Sequence, residues 1–192
     1  SYKDGAENHQ ADEGDYNDRK AIARQVYYEW LPIRESQHHY RAFSFGPVAD
    51  LIMLDERLAG RTRQADSLSD ASLHSEERSM LGAAQLAWFG ERLKTSKARW
   101  KLVGNQVIFS YLDWGFPGFS LNPDAWDGYP AEQQKVASFI QENNISNVVF
   151  LTGDTHCSWA FEVTHEPLKT YKPETGEGAY AVEFGVTSIN SS

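Results

Sequence analysis

The sequence is poor in cysteine, in basic charge and in long apolar runs. One cysteine in 192 residues, Cys157, excludes an intrachain disulfide and a zinc finger. Eighteen Lys and Arg stand against 27 Asp and Glu, a formal charge of -9. A negative surface repels phosphate backbones, so general nucleic-acid binding is disfavoured. The same imbalance means that a phosphate-handling site needs local positive charge, most simply metal ions. No apolar run reaches the ~18 residues of a membrane span. No Gly-x-Ser-x-Gly elbow and no Walker-type loop is present, which sets aside two common hydrolase chemistries. These residues show no signal-peptide pattern, and the chain opens on Ser1-Tyr2-Lys3-Asp4 and stops at Ser191-Ser192 just past a strand-like run. Both ends read as cuts, in a fragment or a processed chain.

What is present is globular. Hydrophobic residues make up 41% and charged residues 23%, so the chain can build a core. Aromatics reach 13%, enough for a dense interior or an aromatic-lined cleft. Ile22, Val26 and Trp30 at spacing four predict a helix over 18–30, limited by Pro32. Strands are expected at 40–45 and 49–54. Residues 60–79 are rich in Arg, Ser and Asp without periodicity and read as a long surface excursion, the most mobile segment. A helix follows over 82–93, then a strand over 100–109 interrupted at Gly104-Asn105. Residues 110–130 form an aromatic loop holding Trp114, Phe116, Phe119, Asp124, Trp126, Asp127 and Tyr129, suited to a lid or to packing on itself. Pro130 suits the first turn of a helix to about 143. Strands at 148–151 and 180–186 complete an α/β pattern in one domain.

The sharpest local signal is Asn147-Val-Val-Phe-Leu-Thr-Gly-Asp154-Thr-His156. A buried strand empties through a glycine into two metal-competent side chains at i and i+2, which extended backbone points the same way. The other reading is a capping Asp and a His satisfied by a carbonyl. Alternation turns Cys157 away from His156, which favours a buried, inert thiol. Asp55 and Arg57 close the second strand, as an oxyanion fork with its holder or as a structural ion pair. Asn105 interrupts its strand as a β-bulge, or because it ligates a metal or substrate. His9, His38, His39, His74 and His165 lack partners at ligand spacing and read as exposed or structural.

Five stretches carry a family likeness: 1–9 (Ser-Tyr-Lys-Asp-Gly-Ala-Glu-Asn-His), 28–34 (Tyr-Glu-Trp-Leu-Pro-Ile-Arg), 40–57 with its Leu-Asp-Glu-Arg end, 100–107 (Trp-Lys-Leu-Val-Gly-Asn-Gln-Val) and 122–129 (Asn-Pro-Asp-Ala-Trp-Asp-Gly-Tyr). The chain resembles, in order and over nearly its whole length, the C-terminal part of the alkaline phosphatase D family, the PhoD-like metallophosphatases and phosphodiesterases. Its Leu151-Thr-Gly-Asp-Thr-His156 falls where that family has its last metal motif. The resemblance implies an α/β, calcineurin-like, four-layer αββα sandwich, with residues 1–192 the C-terminal portion of one catalytic domain. It implies hydrolysis of phosphate monoesters and diesters outside the cytoplasm, in the periplasm or extracellular space, with iron and calcium ions. On this view Asp154, His156 and Asn105 are metal residues. His156 also has a catalytic option as proton donor, Arg57 and Arg41 steady oxyanion charge, and Trp126 and Tyr129 contact the substrate. The family's earlier metal motifs are absent, so the N-terminal part of the same protein is the expected partner that completes the site. The alternative is a catalytically incomplete structural or interaction module.

Overall fold

The computed structural model describes residues 2–67, 69–111, 122–165 and 170–187. The elements run α1 (Tyr16–Trp30), β1 (Arg41–Phe45), β2 (Ala49–Met53), α2 (Gly82–Thr95), β3 (Trp100–Asn105), a 3₁₀ turn (Trp126–Gly128), α3 (Pro130–Glu142), β4 (Val148–Thr152), β5 (Trp159–Thr164) and β6 (Ala179–Gly185). The strands form one sheet in the order β1-β2-β3-β4-β6-β5. β2, β3, β4 and β6 are parallel, and antiparallel β1 and β5 flank them. Asn105, Thr152 and Gly185 lie in one register row, so the parallel strands end together at one carboxyl edge.

Side-chain alternation gives the sheet two unlike faces. Ile52, Val103, Phe150 and Val163 point to one face and join Phe89 and Leu93 of α2 and Val136 and Ile140 of α3 in a single core. Phe109 stacks on Phe150 at 4.3 Å between centroids, an aromatic pair at the centre of that core. The opposite face carries Phe43, Phe45, Met53, Trp100, Leu151 and Phe184, all exposed, across five of the six strands. Among the described residues the architecture is therefore two layers, a sheet with helices on one side.

Four expectations need correction. β5 was not expected, although its run Trp-Ala-Phe-Glu-Val-Thr sets Trp159, Phe161 and Val163 in alternation; it is an edge strand buried only at Val163 and Thr164. The third strand ends at Asn105 and does not continue to Phe109. The helix predicted over 18–30 begins earlier, at Tyr16, where Asp15 caps it by accepting from the Asn17 and Asp18 N–H groups. Its apolar stripe meets no core: Trp30 is 81% exposed and no residue of α1 is buried. The segment over 60–79 is not a free excursion either. Arg61, Ala65 and Leu73 are buried, and Thr62 and Ser79 tie its two ends together through the Thr62 N–H.

α2 lacks a side-chain cap of its own. Glu132 of α3 supplies one, accepting from Met80 N at 2.5 Å, Leu81 N at 3.0 Å and Ser79 Oγ at 2.7 Å. A buried carboxylate on a helix N-terminus satisfies orphan N–H groups and complements the dipole.

Candidate active site

The carboxyl edge is built from the segments that follow β2, β3 and β4. Leaving β2, the chain gives Asp55, Glu56 and Arg57 in succession, each with a different task. Asp55 Oδ1 accepts from the N–H groups of Arg57 (3.0 Å) and Leu58 (2.8 Å), while its own backbone is clasped by the Gln85 amide through two 2.8 Å bonds. Glu56 turns inward and is fully buried. Its Oε2 accepts from Gln106 N (2.7 Å) and Val107 N (3.0 Å), its Oε1 from the Trp126 indole (2.9 Å). Burial pushes its carboxyl up to about 7 against the pull of those donors.

Glu183 on β6 repeats the device. Its two oxygens accept from Phe109 N (2.9 Å) and Ser110 N (2.7 Å), and from Thr152 Oγ1 at 2.5 Å. Two buried carboxylates thus hold the chain that leaves β3, residue by residue, by its backbone N–H groups. Sequence reasoning missed both. The available signal was an acid inside an apolar strand run, Val182-Glu183-Phe184, and an acid directly after Leu54-Asp55.

Arg57 turns outward. Nη1 donates to Asp124 Oδ1 at 2.7 Å, and Nη2 lies 3.8 Å from Asp154 Oδ2. The buried Arg61 meets the same Asp124 oxygen at 2.6 Å and the Tyr129 hydroxyl at 2.9 Å. Burial works to raise the Asp124 carboxyl, but the two guanidiniums outweigh it and hold it down at about 2. Arg61 was absent from the expected set, because its position in a polar, aperiodic stretch conceals its burial.

Asp154 and His156 stand where β4 ends. Both adopt left-handed backbone, with φ of 66° and 52°. The extended geometry assumed for their spacing is therefore incorrect: the turn after Gly153 replaces it. Non-glycine residues seldom hold this conformation, and its clustering is a mark of functional turns. Both side chains are exposed and, among the described residues, neither forms a hydrogen bond. Cys157 is exposed as well, contrary to the expectation of a buried thiol, and its Sγ donates to Thr155 O at 3.0 Å.

The other expected site residues are engaged with the protein's own groups. Asn105 is buried under the edge; its amide donates to Val107 O and Thr152 Oγ1, and its Oδ1 accepts from the Trp126 indole at 3.3 Å. Trp126 and Tyr129 are fully buried and present no surface to a substrate in this structure. Trp126 braces Glu56 and Asn105; Tyr129 braces Arg61 and donates to Thr62 O at 2.8 Å. Arg41 spends its guanidinium on the 34–39 turn, donating to Arg34 O at 2.8 Å and His39 O at 3.2 Å. Trp114 to Phe119, expected as part of a lid, lie outside the described residues. Asp127 is buried and its carboxyl is pushed up to about 6 by desolvation.

An acid, an imidazole and a guanidinium stand at the carboxyl edge of the parallel strands of an α/β protein, the edge where such sheets commonly place ligands. The chain belongs to the PhoD-like phosphatase family, which matches over residues 1–192. It is 37% identical over 189 positions to alkaline phosphatase D of Bacillus subtilis (strain 168), a match covering 90% of this chain and 31% of that protein. A solved structure described as the structure of PhoD is similar with a TM-score of 0.84 and 32% identity, covering 99% of this chain and 38% of that one. The chain thus spans about a third of the length of these relatives.

Proposed function

We propose that this chain forms part of a metal-dependent phosphoester hydrolase acting on monoesters and diesters, with its reaction centre at the carboxyl edge of β2, β3 and β4. One observation carries the reading: in a member of this family, Arg57 stands 3.8 Å from Asp154, so an anion-recognising fork and a cation-competent carboxylate share one edge.

The donor chemistry fits a metal in part. Asp154 and His156 offer a carboxylate and an imidazole that need break no hydrogen bond among the described residues. Two donors are too few, and among the described residues no three His, Cys, Asp or Glu gather closely enough to hold an ion. In this reading the remaining ligands come from a further part of the same protein. The apolar open face of the sheet supports it, since a second sheet there completes a four-layer αββα sandwich.

Bound ions, expected as iron with calcium, supply a water of lowered pKa and neutralise phosphoryl charge. The chain's own residues orient and balance. Asp124 anchors one arm of the Arg57 fork, which leaves Nη2 for a phosphoryl oxygen. Glu56 and Glu183 keep the floor beneath the edge rigid, so the fork and Asp154 hold their spacing. His156 either ligates or gives a proton to the leaving alkoxide.

The test is turnover of p-nitrophenyl phosphate and bis(p-nitrophenyl) phosphate by the full-length protein, with elemental analysis of the same sample. Hydrolysis that chelators abolish and calcium restores agrees with the proposal. A folded, metal-free protein without activity on either ester favours the structural module instead.

A further inference from the structure

A cavity of about 350 Å³ lies between α1 and the 55–59 segment, and nothing in the hydrolase reading uses it. Asn17, Lys20 and Arg24 border it from one stripe of α1, at spacings i, i+3 and i+7, while the apolar stripe of the helix points elsewhere. His38 and His39 border it from the turn before β1, and Asp55 from the end of β2. In a chain with nine more acids than bases, this concentration of nitrogen donors is unusual.

Each donor is placed but not spent. Arg24 Nη2 donates to the carbonyls of Ser36 (2.6 Å) and Gln37 (2.9 Å), which fixes the guanidinium, and its Nε and Nη1 have no partner among the described residues. Lys20 Nζ gives one bond to Lys3 O at 2.8 Å and keeps two N–H groups. His39 Nε2 is buried without a hydrogen-bond partner, a state that ordinarily calls for a ligand or water. Asp55 Oδ1 accepts from the Arg57 and Leu58 N–H groups, which fixes the one acid of the cavity, and Lys20 with Arg24 set two positive charges against it.

We infer that this cavity binds an oxyanion of the phosphate class, with Lys20 and Arg24 as charge donors and the His38 and His39 imidazoles as hydrogen-bond partners. A fixed guanidinium fork beside an ammonium suits a phosphate better than any neutral ligand. The anion is either free phosphate or a second acidic group of a substrate. The second source rests on the hydrolase reading, because Asp55, Leu58 and Ala59 of the cavity and Arg57 of the candidate site share one short segment. The first stands without that reading.

The experiment titrates inorganic phosphate into the full-length protein while the imidazole resonances of His38 and His39, assigned with His38→Gln and His39→Gln, are followed by NMR. Both resonances are expected to shift saturably. Lys20→Glu should weaken the apparent affinity about tenfold, the worth of one charge-assisted contact, and Lys20→Arg should restore it. Resonances that stay fixed in the folded protein, or shifts that survive Lys20→Glu, overturn the inference. A second arm compares KM for an alkyl monophosphate and its bisphosphate. A lower KM for the bisphosphate that Lys20→Glu removes identifies the substrate's own second phosphate. Equal KM values together with the shifts identify free phosphate. Loss of turnover with the shifts intact removes the hydrolase reading and leaves the anion pocket.

Discussion

Asp124 accepts two guanidiniums on a single carboxylate oxygen, and much of the site's geometry hangs on that atom. Asp124→Ala leaves the buried Arg61 with an uncompensated charge and frees Arg57 from its anchor. The variant should lose roughly 3 kcal/mol in chemical denaturation, as expected when one partner of a largely buried pair is removed. Trp126→Phe deletes the indole N–H and part of the buried ring, so Glu56 and Asn105 each lose a donor and a void is left; about 2–4 kcal/mol should go, with no change in fold by circular dichroism. Legibility at this scale was uneven. Asp154 and His156 announce themselves through a strand, a glycine and two side chains of metal-competent type in six residues. Glu56, Glu183, Arg61 and Glu132 do not, because a charged letter in a sequence reads as a solvated surface until its partners are known. The three acids accept from backbone N–H groups about 50–74 positions away, and Arg61 donates to Asp124 and Tyr129, 63 and 68 positions on.

At the scale of elements, α2 depends on a cap that arrives from α3. Glu132→Ala removes acceptors for Met80, Leu81 and Ser79, and should cost about 2 kcal/mol, with hydrogen exchange rising first in the opening turn of α2. The helices over 82–93 and 130–143 and most parallel strands were readable, since their apolar periodicity matches the face they bury. Periodicity failed for α1: the stripe of Ile22, Val26 and Trp30 is real, but none of it is buried here. β5 was overlooked although Trp159, Phe161 and Val163 alternate in it, an edge strand of which only Val163 and Thr164 are buried.

The whole molecule carries buried acids whose ionisation opposes folding. Burial raises the Asp127 carboxyl to about 6 from an ordinary 3.8. A folded-state pKa above the unfolded value contributes stability that is complete below about 3.8 and fades as pH rises through about 6. Asp127→Asn abolishes that titration. The stability difference between variant and parent should therefore move in the variant's favour by about 3 kcal/mol between those limits, read from denaturant midpoints across pH. A flat difference would deny the burial of that charge. The same scale contains the open apolar face, which the sequence could indicate only through the family it resembles.

The most direct measurement bears on Asp154 and His156. In the full-length protein, Asp154→Ala and His156→Ala are to be purified beside the parent and assayed for bound metal and for turnover of p-nitrophenyl phosphate. Metal content and kcat/KM falling together, by about a hundredfold in turnover, is the predicted result for loss of a ligand. Retention of both within a few-fold in either variant contradicts the account, and the carboxyl edge would then need another purpose.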